Sequence, residues 1–248
     1  GENITRFSVS NTIKEFINYG DWLGASRDEK FFKDERILVR QIVSGNPPRI
    51  FAGYTNDELY FTQIGFGIIP KEMNIKYLIG ILNSSLINFY HKYRFLDLEK
   101  EIFQNPHRPT DRHHFANCKT LPIKNTPNVL EKDIINYVDL MIQSTKDLQE
   151  QSQKFQRTIQ RKFNLEDLPK KLQDWYLLSY SDFIKELAKK KVKLTLSEEA
   201  EWEDYFEVES KKAQELKAQI DKTDKEIDQM VYELYGLSEE EIGIVENS

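Results

Sequence analysis

At 248 residues, with 31% charged residues and a mean hydropathy of −0.62, the chain has the size for a substantial core and a largely solvated surface. No apolar run approaches the ~18 residues that span a membrane, no signal peptide opens the chain, and the single Cys118 excludes an internal disulfide framework, so a reducing, cytoplasmic setting is expected. The net charge of −6 is unevenly spread: residues 1–125 carry 17 Lys and Arg against 14 Asp and Glu, and residues 126–248 carry 18 against 27. That asymmetry marks two regions, of which the first is the better candidate for meeting phosphates. The opening Gly1-Glu2-Asn3, without an initiator methionine, reads as an excised part of a longer protein.

In chain order, residues 1–125 read as mixed α and β. "RILVRQIV" (36–43), "RIFAGYT" (49–55) and "ELYFTQIGF" (58–66) are short strands rich in β-branched and aromatic residues, separated by turn-forming "SGNPP" and "TNDE". Residues 74–93, "NIKYLIGILNSSLINFYHKY", read as one helix with Asn74 as N-cap. A polar, proline-bearing loop follows, and "KTLPI" (119–123) reads as one more short strand. From Leu130 to Phe163, Ile134, Val138, Met141, Thr145, Leu148, Ser152, Phe155 and Ile159 alternate in steps of four and three, a heptad seam. Ala213, Leu216, Ile220, Thr223, Ile227, Met230 and Leu234 repeat the pattern. Each helix should run on the order of 40 to 50 Å at ~1.5 Å per residue. Gly236 reads as the stop after the second, and Ser238 with Glu241 as a capping box for a last short helix. Residues 164–205 read as a helical insert of smaller pieces, with Ser197 capping "EEAEWEDYF". The expected fold class is α+β: a small mixed α/β domain, 1–125, followed by a long antiparallel, coiled-coil-like helical region, 126–248.

Asn46-Pro47-Pro48 matches the first three residues of the catalytic turn of enzymes that methylate exocyclic amines of DNA bases. That turn needs an aromatic ring at its fourth position to stack on the flipped base, and Arg49 stands there. No G-x-G precedes it to build a methyl-donor pocket, so the tripeptide reads as a loop between strands. His107, His113, His114 and Cys118 have metal-ligand chemistry but lack a C-x-x-C and a second cysteine, and no metal site is assigned. "DLEKE" (97–101) and "SRDEK" (26–30) lack the acid and lysine spacing of a Mg²⁺ nuclease, and no G-x-S-x-G or P-loop is present; no catalytic residue is assigned.

The remaining chemistry suits duplex DNA. Arg108, Arg112, His113, His114 and Lys119 share one loop and can meet phosphates or base edges, arginine reaching both acceptors of a guanine, and Asn105 and Asn117 suit adenine. Arg40, Gln41, Arg49, Tyr54 and Asn56, at the turns of the presumed sheet, form a second candidate group.

Several segments taken in order resemble a family. "YGDWLGASRDEKFFKDERILVRQI", "IFAGYTNDELYFTQ", "KYLIGILNSSLINFYHKY" and "LPIK" are similar to the C-terminal specificity region of type IIG restriction-modification enzymes and Taq-type adenine methyltransferases. The "LTLSEEAEW…VYELYGL" tail resembles the closing helices of the same enzymes, so the resemblance runs over nearly the whole chain. It implies a bacterial DNA target-recognition domain followed by a helical spacer and docking region. Partners would be double-stranded DNA and an upstream methyltransferase domain of the same parent chain. S-adenosylmethionine and Mg²⁺ would belong to that parent, with no cofactor in this fragment and no membrane. The rival readings are a coiled-coil protein-interaction module without DNA binding and a small metal-dependent nuclease.

Overall fold

The computed structural model describes residues 3–10, 16–20, 22–23, 27–40, 49–61, 65–95, 120–125 and 129–248. It is α+β, as expected. Strands β1 (Phe7–Ser8), β2 (Arg36–Arg40), β3 (Ala52–Thr55) and β4 (Gly65–Ile68) form one sheet in the order β1-β3-β2-β4. β1 runs parallel to β3, whereas β2 is antiparallel to both β3 and β4. A single turn, α1 (Lys30–Lys33), precedes β2, and α2 (Ile75–Asn83) and α3 (Ser85–Phe95) follow β4. Then come α4 (Val129–Phe163), α5 (Lys170–Gln173), a 3-10 turn (Trp175–Leu177), α6 (Tyr180–Lys189), α7 (Leu196–Tyr235) and α8 (Glu239–Glu246). The chain divides into two compact units, Gly1–Ile142 with Thr223–Ser248, and Gln143–Lys222; α4 and α7 contribute to both.

In the first unit the sheet packs on α2, which is buried almost all round: Tyr77, Ile79, Ile81 and Leu82 join Ile37, Val39 and Ala52 of the sheet. Gly80 marks the close approach of α2 to α4. A methyl group there would lie 2.9 Å from Ile134 and 3.0 Å from Val138, inside van der Waals contact. Ile227, Val231 and Tyr232 of α7 complete this core.

The expected helix over 74–93 is broken. Asn74 caps α2 as predicted, accepting from the Lys76 N–H at 2.8 Å. At Ser84, however, the backbone turns extended (ψ 153°), and its hydroxyl donates to the Ile81 carbonyl at 2.7 Å and accepts from the Ile87 N–H at 3.3 Å. Ser84 thus closes one helix and opens the next, which apolar periodicity alone does not reveal. "KTLPI" is no strand over its described residues, 120–123. This stretch is tied instead to the end of α7. The Tyr235 hydroxyl donates to the Pro122 carbonyl at 2.6 Å, and the Lys124 ammonium donates to the Leu234 carbonyl at 2.7 Å, a cation at a helix C-terminus.

Both heptad seams are buried within the chain: Ile134, Val138, Met141, Leu148, Phe155 and Ile159 on α4, and Ala213, Thr223, Ile227 and Leu234 on α7. The helices exceed the predicted length, at 35 and 40 residues, or about 52 and 60 Å. The excess in α7 comes from its start. Ser197 is not a cap; Thr195 is, its N–H and hydroxyl both donating to Glu198 at 3.0 and 2.9 Å, and the helix runs on through "EEAEWEDYF" without a break. The insert between the long helices therefore ends at 195 rather than 205.

In the second unit α4 and α7 run antiparallel. Gln151 donates to Glu209, and Phe163, three turns later, meets Trp202, two turns earlier. Two small polar seam residues make room for the insert. Ser152 donates to the Gln173 carbonyl at the end of α5 and Ser210 to the Tyr176 carbonyl of the 3-10 turn, satisfying backbone groups of the insert. Around that turn Phe155, Trp175, Phe183, Trp202 and Phe206 form an aromatic core.

Three helices end in a left-handed residue closed by a bond across the final turn: α4 at Asn164, α6 at Lys191 and α7 at Gly236. Asparagine and glycine suit that conformation; lysine does not. Lys191→Gly is expected to stabilise the second unit by about 1 kcal/mol, measured by urea unfolding. An unchanged midpoint would show that Lys191 bears no backbone strain.

Candidate nucleic-acid interface

Among the sheet-turn candidates, most described side chains are already engaged. Arg40 closes β2; its Nε donates to the Ile4 carbonyl at 2.5 Å and its guanidinium lies 4.2 Å from the centre of the Phe51 ring. Tyr54 donates its hydroxyl to Glu35 at 2.5 Å, and burial followed by that bond pushes its pKa well up. Arg49 reaches inward, its guanidinium 3.5 Å from the Ser85 hydroxyl. Burial and then the nearby Arg6 pull Arg49 below the usual guanidinium value, while Asp224 and Asp228 oppose them. Asn56 alone of this described group is exposed, on a turn underpinned by the fully buried Arg36, which donates to the carbonyls of Asp34, Asp57 and Leu59.

The surface beside that turn is not basic. Lys30 and Lys33 are paired with Asp28 and Glu29, and Glu58 lies 4.0 Å from Lys33. Gln41 and the loop group Asn105, Arg108, Arg112, His113, His114, Asn117 and Lys119 lie outside the described residues, as do Asn46-Pro47-Pro48, His107 and Cys118. Among the described residues no three His, Cys, Asp or Glu converge as a metal site.

The last turns of α3, which precede that loop in the sequence, carry a feature that sequence reasoning missed. Tyr93 is 59% exposed with the Lys92 ammonium 5.1 Å from its ring centre, and Arg94 follows, also exposed. The only signal in the sequence is a tyrosine and two basic residues that continue a helix past its apolar face.

What the sheet and α3 share beneath this surface is a polar cluster at the α2–α3 elbow. Asn83 pairs with both backbone groups of Ala52, accepting from its N–H at 3.2 Å and donating to its carbonyl at 2.8 Å. Asn88 accepts from the Ile50 N–H at 2.6 Å. The two asparagines thus stand in for a neighbouring strand along β3, where β1 is only two residues long. Arg6 forms a two-pronged pair with Asp224 of α7, 2.6 Å on each prong, and also donates to the Asn83 carbonyl at 2.9 Å. Asp228 accepts from the Ser85 N–H and hydroxyl at 2.7 and 2.6 Å. Residues near the two ends of the chain are held to one elbow.

Burial raises the Asp228 pKa, opposed by its Ser85 bonds. A carboxyl with a raised folded pKa binds its proton more tightly folded than unfolded, so it favours folding as pH falls through the raised value. The native chain should therefore gain stability relative to Asp228→Asn as the pH is lowered from neutral, in urea titrations at several pH values. A difference that does not change with pH would contradict this.

Comparison with known proteins gives two matches. Residues 1–107 match the family model of the TaqI-like C-terminal specificity domain, and residues 127–231 match one described as a domain of unknown function. No curated protein and no solved structure matches the chain. The specificity match ends before α4, so the resemblance of the tail to the closing helices of the same enzymes stays a resemblance. No helix among the described residues is long and apolar enough to cross a membrane. Over residues 1–107 the chain is similar to the TaqI-like C-terminal specificity domain family.

Proposed function

We propose that this chain is the target-recognition part of a restriction-modification enzyme, binding double-stranded DNA at a short sequence and holding no active site of its own. The observation that carries the reading is the specificity-domain match over residues 1–107. The engaged side chains of Arg40, Arg49 and Tyr54 shift the weight of base reading to the other candidate group, the loop with Arg108, Arg112, His113, His114 and Lys119, together with Asn105 and Asn117. Asn56 and Gln41 remain candidates beside it. Lysines and arginines would fix the register on phosphates, and a few side chains would read bases. Lys92 and Arg94, in the last turns of α3, fit the phosphate role.

On this reading residues 126–248 serve as spacer and docking region for a methyltransferase domain elsewhere in the parent enzyme. S-adenosylmethionine and Mg²⁺ act there, and the setting is the bacterial cytoplasm. A coiled-coil module waiting for a partner would leave its seam open; here most of the seam residues are buried within the chain and Thr145, Leu216, Ile220 and Met230 are half-buried.

Arg112→Ala is expected to weaken binding to the preferred duplex by about 1 to 3 kcal/mol while leaving a scrambled duplex almost unaffected. Fluorescence anisotropy with both duplexes reads this. Equal weakening of the two would assign Arg112 to phosphate, and no weakening of either would remove it from the interface.

A further inference from the structure

The net charge of −9 across residues 126–248 conceals a sharp segregation. Residues 196–209 hold seven acids and no base, whereas residues 170–193 hold seven lysines, no arginine and three acids. We propose that the lysine-rich face made by α5, α6 and the segment after α6 is a second DNA-binding surface, one that grips the phosphate backbone of a duplex without reading bases. The proposal rests on the reading of the chain as a DNA-recognition protein.

The geometry brings lysines of α5 and α6 together. Glu186, only 7% exposed, draws Lys189 of α6 to 2.6 Å and Lys171 of α5 to 3.7 Å on the same carboxylate oxygen. Asp182 takes Lys185 at 2.8 Å. Two of the three acids are thereby engaged by lysines of the face itself. Lys170, Lys190, Lys191 and Lys193 are exposed and form no ion pair with any described residue. Val192 and Leu194 pack against the aromatic core, while Lys193 between them is exposed. Lys191 holds the left-handed position that Asn164 and Gly236 fill at the other two helix ends. A lysine there accepts backbone strain and adds a charge to the face.

The composition selects the partner. Protein–protein interfaces are depleted in lysine and enriched in arginine and aromatic residues, and this face has the opposite bias. Lysine is a hydrated point charge on a flexible stem, suited to phosphates and poorly suited to two-pronged base recognition. Several such charges on one small insert suit the phosphates of a duplex.

The test is salt-dependent binding of the whole 248-residue chain to a mixed-sequence duplex, native against the triple variant Lys190→Gln, Lys191→Gln, Lys193→Gln. Every phosphate that the variant no longer neutralises should reduce the slope of log affinity against log salt by about 0.9, so the slope should fall by roughly 2 to 3 and the affinity at low salt roughly tenfold or more. Circular dichroism confirms that these exposed substitutions leave the fold intact. A slope and affinity equal to native overturn the proposal and leave the face to an acidic protein surface. Sequence preference, read in parallel with preferred and scrambled duplexes, separates the two readings. Preference with an unaltered slope defeats the lysine face alone. A reduced slope in a chain without preference upholds the face and defeats the specificity reading. A native chain that binds no duplex defeats both.

Discussion

Replacing Trp175 with alanine is expected to destabilise the second unit by about 3 to 5 kcal/mol. Trp175 is fully buried and stacks on Phe155 with ring centres 3.6 Å apart and an 18° tilt, while Phe206 and Tyr176 meet it edge-on. Alanine would leave a cavity walled by rings that are themselves held on α4, α6 and α7 and cannot collapse into it cheaply. The indole N–H has no hydrogen-bond partner among the described residues, so Trp175→Phe forfeits volume but no bond and should cost clearly less. Urea unfolding followed by circular dichroism reads both variants. An alanine variant within about 1 kcal/mol of native would mean that the insert is not part of the core.

Asn83→Ala is expected to cost the first unit about 2 to 5 kcal/mol. The substitution orphans the N–H and carbonyl of Ala52, both inside a fully buried elbow that water cannot enter to replace the missing amide. Each unpaired group costs about 1 to 3 kcal/mol, and the void left by the buried carboxamide adds to the loss. Hydrogen exchange offers a local check: the Ala52 amide should lose its protection while amides of the second unit keep theirs. Undiminished protection at Ala52 would show that another group satisfies it.

These two positions also show where sequence reading works and where it stops. The long helices are legible because their seam repeats locally, and Ser152 falls in it as a small residue. That a serine stands there to donate to the Gln173 carbonyl is not legible, since its partner lies 21 residues away. The elbow is legible only as a family likeness. Asn83, Ser84, Ser85 and Asn88 look like polar interruptions of an apolar helix. Asn83, Ser85 and Asn88 are in fact hydrogen-bonding groups whose partners lie in β3, just before it, and in α7. Arg6 pairs with a carboxylate 218 residues further along the chain, a distance no periodicity bridges.

The same non-locality limits the candidate site. Arg40, Arg49 and Tyr54 are candidates by residue type and turn position, which cannot tell whether a side chain is already engaged by Ile4, Ser85 or Glu35. Charge summed over a whole region is equally blunt. A net of −9 argues against DNA binding by 126–248, yet the lysines lie together on the insert and the acids gather at the start of α7.

Selection from a pool of random-sequence duplexes by the intact chain, followed by sequencing of the bound fraction, tests the central claim most directly. One short motif should be enriched, and the enrichment should disappear when the basic residues of the 105–119 loop are replaced. A bound pool with no enriched motif, at salt low enough for the chain to retain DNA, would contradict target recognition by this domain.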